Sequence, residues 1–207
     1  MDLVSVCRQT CCAFFLGTIL LLGACGKDSA SRLAAAGPAA GETVVLEIFS
    51  DPQCGACRRF YQENLQPAEQ EFAGRGLKVV HHIFPLKAHQ HAKAATLLYL
   101  AGDQLGEGGR SRVLAALFET QAAWSADGNI EAALTKALGA EKWALLAPRA
   151  ASPEIAAELA REIGVVQQAG LRGTPTVVVH AGGEKQNVPS TVQYPIFRRY
   201  LSSLLES

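Results

Sequence analysis

Cys54, Gly55, Ala56 and Cys57 place two thiols three residues apart, shortly after the apolar, strand-like run 44–49. In the first turn of a helix, positions three apart share a face, so the two sulfurs can be joined or separated with little backbone motion. That is the arrangement thiol-disulfide exchange needs. A thiolate attacks a disulfide and a neutral thiol does not, so the first cysteine must sit where negative charge is favoured. A helix N-terminus supplies unpaired N–H groups and the positive end of the macrodipole. Cys54 is then the nucleophile and Cys57, one turn on and more buried, the resolving thiol. Arg58 shares a helix face with Cys54 and could add positive potential with Arg59; solvated surface arginines are the plainer reading. Three other readings of the cysteine pair stand beside exchange. A structural disulfide across four residues would close only a small loop and constrain the unfolded chain little. Half of a zinc site would need two further ligands, and the sequence has no second pair of this kind in the folded part. A Cu(I)-handling module would use two soft thiolates, with histidines completing the site.

Composition narrows the classes. The chain has 207 residues, 49% of them hydrophobic, enough for one sizeable core with an insertion. Lys+Arg and Asp+Glu are equal at 19 each. That balance gives no field of one sign for nucleic acid, and no basic stripe carries interleaved aromatics. No nucleic-acid partner is expected.

The first 24 residues read as a targeting peptide: a short start containing Arg8, an apolar stretch from about Cys11 to Leu22, then small residues. The stretch is short for a membrane span. Leu22-Gly23-Ala24-Cys25 resembles the lipobox of bacterial lipoproteins, which implies cleavage before Cys25 and lipidation of that residue; an ordinary signal peptide cut near Ala24 is the alternative. With Cys7, Cys11 and Cys12 removed and Cys25 lipidated, Cys54 and Cys57 are the thiols left, and an exported location favours disulfide chemistry. Residues 26–42 are rich in Ala, Gly and Ser and read as a flexible tether, holding the domain roughly 20 to 25 Å from its anchor.

The elements that must position the cysteines follow from periodicity. Strands are expected at 44–49, 77–84, 176–179 and 186–188, with a Gly182-Gly183 turn between the last two. A helix runs from 54 to about 72, kinked or interrupted by Pro67. The following region is helical, with Val113, Leu114, Leu117, Phe118 and Trp124 on one stripe and Ile130, Leu134 and Leu138 on another. Glycines 102, 106, 108 and 109 punctuate it as a mobile connector that lacks the residues of a phosphate loop. Ser152 and Pro153 form an N-cap and first turn, and a closing helix begins near Pro195.

This order, together with Phe49-Ser50-Asp51 leading to Gln53-Cys54, Phe84-Pro85-Leu86 followed by His89, and Gly173-Thr174-Pro175-Thr176, resembles the DsbA-like branch of the thioredoxin superfamily. The resemblance implies an α/β, thioredoxin-like fold over 43–207 with a helical insertion at about 88–150. It implies a thiol-disulfide oxidoreductase working without a cofactor on cysteines of exported proteins, facing the periplasm from a lipid anchor in a bacterial membrane. Its redox partner would be a quinone-linked reoxidase or a transmembrane reductant; a reductase or isomerase-type enzyme of the same fold remains an alternative. The resemblance further implies a cis Thr174-Pro175 bond that sets the Thr174 backbone beside the Cys54 sulfur to pair with substrate. Gly55-Ala56 departs from the Pro-His pair of the strong oxidant of this family and lacks its histidine. Glu47 is the candidate buried acid for proton transfer under the disulfide, but it precedes Cys54 by seven positions where relatives tend to have six. Ile48 stands at that place, and a partly exposed strand residue is the other reading of Glu47. His81, His82, His89 and His91 read as structural or capping residues, since a spacing of two does not put His89 and His91 on one helix face.

Overall fold

The computed structural model describes residues 44–206. The expected signal peptide, the lipidated Cys25 and the tether fall outside the described residues.

A four-stranded mixed sheet in the order β2-β1-β3-β4 carries the molecule. Strand β1 (Val44–Ser50) is interior, parallel to β2 (Leu77–Ile83) and antiparallel to β3 (Thr176–Ala181), which pairs antiparallel with β4 (Glu184–Val188). This placement explains the apolar run of β1: Val44, Leu46 and Ile48 are buried on one face, and Phe49 is buried on the other. The outermost strand β4 shows Glu184, Lys185, Gln186 and Asn187 to solvent, polar residues that discourage pairing with another chain.

The crossover from β1 to β2 is a helical run in three parts. Helix α1 (Gly55–Phe60) passes into a π-turn at Tyr61–Leu65 and then into α2 (Gln66–Glu71). The expected disturbance at Pro67 therefore appears one turn earlier. Proline has no N–H and its ring crowds the carbonyl four residues back, and the wider turn accommodates both, with Gln66 N–H bonded to Tyr61 O.

Between β2 and β3 the chain forms helices α3 (Ala92–Leu100), α4 (Gly109–Glu119), α5 (Gln121–Asp127), α6 (Ile130–Leu138), α7 (Ala140–Ala150) and α8 (Pro153–Gln168). Their apolar stripes bury Leu100, Leu114, Leu117, Phe118, Trp124, Leu134, Leu146 and Leu159 in a core continuous with that of the sheet. Trp124 places its indole N–H on Leu117 O at 2.8 Å, which satisfies the polar atom of a wholly buried ring. Ser152 caps α8 by accepting from Ile155 N–H. The glycine segment expected to be a mobile connector is instead a packed corner. A Cβ on Gly102 would lie 2.7 Å from Arg110 Cα, so the two backbones touch where a side chain would hold them apart. Helix α9 (Tyr194–Leu205) closes the sheet, packing Phe197 at a tilt against Phe60 with ring centroids 5.9 Å apart.

Candidate active site

Cys54 is the N-cap of α1, with φ −75° and ψ 118°, and its side chain caps no helix amide by itself. Its N–H donates to Asp51 O at 3.0 Å, and its carbonyl accepts Arg58 N–H at 3.1 Å as the helix begins. Gly55 is exposed, and a Cβ there would meet no atom within 4 Å, so the helix mouth is open on that side. Both cysteines are free thiols. Cys54 keeps 8% of its surface accessible and Cys57 only 2%.

The Thr174-Pro175 peptide is cis and brings the Thr174 carbonyl to 3.6 Å from Cys54 Sγ, across 120 residues of sequence. The Thr174 hydroxyl is buried next to the thiols without a hydrogen-bond partner.

This environment separates the two thiols electrostatically. Cys54 is held down to about 5, first by the hydrogen bond from the Cys57 thiol, against the opposing effect of burial, and further by the Cys57 and Ala56 amides and the Thr174 side chain. These amides are the unpaired N–H groups of a helix start. Cys57 is pushed strongly upward, first by burial and then by the neighbouring Cys54 sulfur. One sulfur is thus ionised at neutral pH while the other retains its proton. Cys57 Sγ receives one backbone donor, the Asp51 N–H at 3.4 Å.

Asp51 organises the loop beneath the cysteines. Its carboxylate is wholly buried and accepts Gln53 N–H at 2.7 Å and Leu86 N–H at 2.7 Å, and it pairs with His89 Nδ1 at 2.8 Å. Gln53 Oε1 accepts His91 N–H at 2.8 Å. Gln121, at the start of α5, donates through Nε2 to Pro52 O at 2.7 Å and to Cys54 O at 3.1 Å. Sequence reasoning quoted Asp51 and His89 only as parts of a resemblance and missed their pairing. An aspartate three residues before the candidate nucleophile was the available signal. Gln121 had none, being 67 residues from its partner.

Glu47 goes elsewhere. It lies on the sheet face opposite Ile48, where its carboxylate meets His82 Nε2 at 3.2 Å and His180 Nε2 at 2.8 Å. Ile48 lies in the same buried core as Cys54 and Cys57. The seven-residue spacing accounts for this, because alternate strand residues point to opposite faces. His82 Nδ1 reaches on to Glu162 of α8 at 3.0 Å and its ring stacks on Phe49 at 4.8 Å. Burial pulls the His82 imidazolium down, but the hydrogen bonds to Glu162 and Glu47 outweigh it and hold its pKa up at about 9. Glu47 is correspondingly lowered, first by its bond to His82. His81, on the core face, is driven down to about 4 by burial and then by the charge of His82. Arg59 is exposed, whereas Arg58 is half-buried with its Nε unpaired. Among the described residues no group of three His, Cys, Asp or Glu side chains is placed to hold a metal ion.

A family model described as thioredoxin matches residues 36–193. No curated protein sequence matches the chain. Among solved structures, alpha-DsbA1 of Wolbachia pipientis is similar with a TM-score of 0.65 at 12% identity, covering 79% of this chain and 86% of that one. BdbD from Bacillus subtilis, in its oxidised form, gives 0.61 at 17% identity over 80% and 89%. DsbA2 of Pseudomonas aeruginosa gives 0.57 at 17% identity over 81% and 92%. These likenesses bear on the fold. With the sheet order, the inserted helices and the family match together, the chain belongs to the thioredoxin family and has its DsbA-like form.

Proposed function

We propose that this chain is a periplasm-facing, lipid-anchored thiol-disulfide oxidoreductase that exchanges disulfides with cysteines of exported proteins through Cys54 and Cys57. The observation that carries the reading is the split between the two thiols: an acidic sulfur at an open helix mouth, beside a buried one whose proton is retained. A structural pair needs no such asymmetry. The names of the similar structures, two of them DsbA proteins, support the same reading.

In the oxidising direction a substrate thiolate attacks Cys54 Sγ of the Cys54-Cys57 disulfide. The S–S bond breaks and Cys57 departs as a thiolate, accepting the Asp51 N–H and then a proton. A second substrate thiolate attacks its own sulfur in the mixed disulfide and releases Cys54, again as a thiolate. Two electrons pass from the substrate dithiol to the enzyme, and a membrane redox partner removes them. Thr174, beside Cys54, offers the backbone against which an extended substrate would lie, and Gly55 and Ala56 leave the approach unobstructed. A strongly stabilised Cys54 thiolate stabilises the reduced enzyme and so favours the oxidising direction over the reducing one. Among the described residues no helix is long and apolar enough to cross a membrane. The lipid anchor on Cys25 rests on the likeness of Leu22-Gly23-Ala24-Cys25 to a lipobox.

A glutathione redox titration of the pure domain tests the direction: a potential near about −120 mV supports an oxidant, and one near roughly −270 mV a reductant. Cys57→Ala in the native host is expected to accumulate mixed disulfides with exported proteins. Wild-type protein that neither oxidises a dithiol peptide nor reduces a disulfide would remove the proposed activity. Metabolic labelling with a fatty-acid probe, lost in Cys25→Ala, checks the anchor.

A further inference from the structure

The loop at residues 51–54 satisfies most of its own polar groups. Asp51 Oδ1 takes the Gln53 N–H and Asp51 O takes the Cys54 N–H. The Pro52 and Cys54 carbonyls instead receive a donor from outside, and one amide group serves both. Gln121 Nε2 sits 2.7 Å from Pro52 O and 3.1 Å from Cys54 O, and its side chain is buried, with 4% of the residue accessible. The Cys54 carbonyl is also the first acceptor of α1, through Arg58 N–H. Whatever orients that carbonyl orients the peptide planes that follow it.

We propose that Gln121 is a positioning residue through which the helical insertion fixes the Pro52 and Cys54 carbonyls at the start of α1, and so sets the reactivity of the Cys54 thiol. The inference rests on the exchange reading above. Two carbonyl dipoles close to a thiolate oppose its charge, and a donor turned onto both of them offsets that effect. Without the donor, the buried Pro52 carbonyl loses its partner while Cys54 O keeps the Arg58 N–H, and the loop must rotate to satisfy Pro52 O. That rotation changes the N-cap dihedrals of Cys54, and with them the aim of its sulfur relative to the positive end of α1. Loss of the compensating dipole and loss of the aim both raise the energy of the thiolate, so the sign of the effect is determined. Gln121 bears no charge, and the effect does not depend on ionic strength.

The test is Gln121→Met, which keeps the length of the side chain and removes the donor, together with Gln121→Leu, which removes it with a different apolar shape. Thiolate absorbance against pH should show the Cys54 titration moving up by roughly one unit in both Gln121→Met and Gln121→Leu. The equilibrium with glutathione should shift about tenfold toward the disulfide. A purely architectural role would lower stability in urea and leave both readings where they are. Either variant, folded and with the wild-type titration and equilibrium, overturns the inference. Loss of fold in both overturns it as well, because it assigns Gln121 to the framework. Wild-type protein without exchange activity defeats the proposed function; wild-type exchange with unaltered variants defeats this inference alone.

Discussion

Thr174→Val removes a buried hydroxyl that has no hydrogen-bond partner while both cysteines are thiols, and it nearly preserves the shape of the side chain. In the thiol state Cys54 Sγ donates to the Thr174 carbonyl at 3.6 Å. On ionisation the sulfur becomes an acceptor, and the hydroxyl of the same residue is the donor within reach; the Thr174 side chain lowers the pKa of both cysteines. A hydrogen bond to a charged group contributes about 1.5 to 3 kcal/mol, and each pKa unit corresponds to about 1.4 kcal/mol. The Cys54 titration should therefore rise from about 5 by roughly one to two units. The equilibrium with glutathione at neutral pH should move toward the disulfide by about tenfold or more. Stability should change in the opposite sense: the oxidised variant no longer buries an unpaired hydroxyl and should resist urea better, by about 1 kcal/mol or more. Thiolate absorbance and the rate of alkylation by iodoacetamide, each followed against pH, read the first effect. A titration that stays within a few tenths of a unit of wild type, or falls, would refute the reasoning.

Two further perturbations address the surroundings of the site. His82 carries a folded-state pKa of about 9 against an ordinary 6.5, so the stability it contributes is fully present below about pH 6.5 and is lost as the pH rises through about 9. The shift corresponds to about 3 kcal/mol. Urea denaturation at neutral and at alkaline pH should show that loss in wild type and much less of it in His82→Gln; equal pH dependence in both proteins would exclude the Glu47-His82-Glu162 network as its source. Asp51→Ala leaves the Gln53 and Leu86 amides and His89 without their acceptor. At about 1 to 3 kcal/mol for each buried donor left unpaired, the variant should lose several kcal/mol, with Asp51→Asn in between because one oxygen remains. Wild-type stability in Asp51→Ala would contradict the role assigned to that carboxylate.

What lay within the sequence was whatever depends on near neighbours. Alternation and β-branched residues marked β1, β2 and β3, and stripes at helical spacing marked α4 and α6. Ser152 with Pro153 marked the start of α8, and the three-residue spacing marked Cys54 and Cys57 as partners. These signals are local because backbone dihedrals and side-chain periodicity are local. The seven-residue spacing from Glu47 to Cys54 also held its own answer, since a strand of fixed period two turns that carboxylate away from the face of Ile48.

Only the tertiary structure decided which distant groups reach the sulfurs. Crossing connections bring Thr174 from the loop before β3 and Gln121 from the inserted helices to one loop, and they deliver Glu162 to His82 rather than to solvent. The acidity of Cys54 is a property of that assembly. A thiol ionises according to the donors and the dielectric within a few ångströms of it, and no stretch of chain carries those by itself.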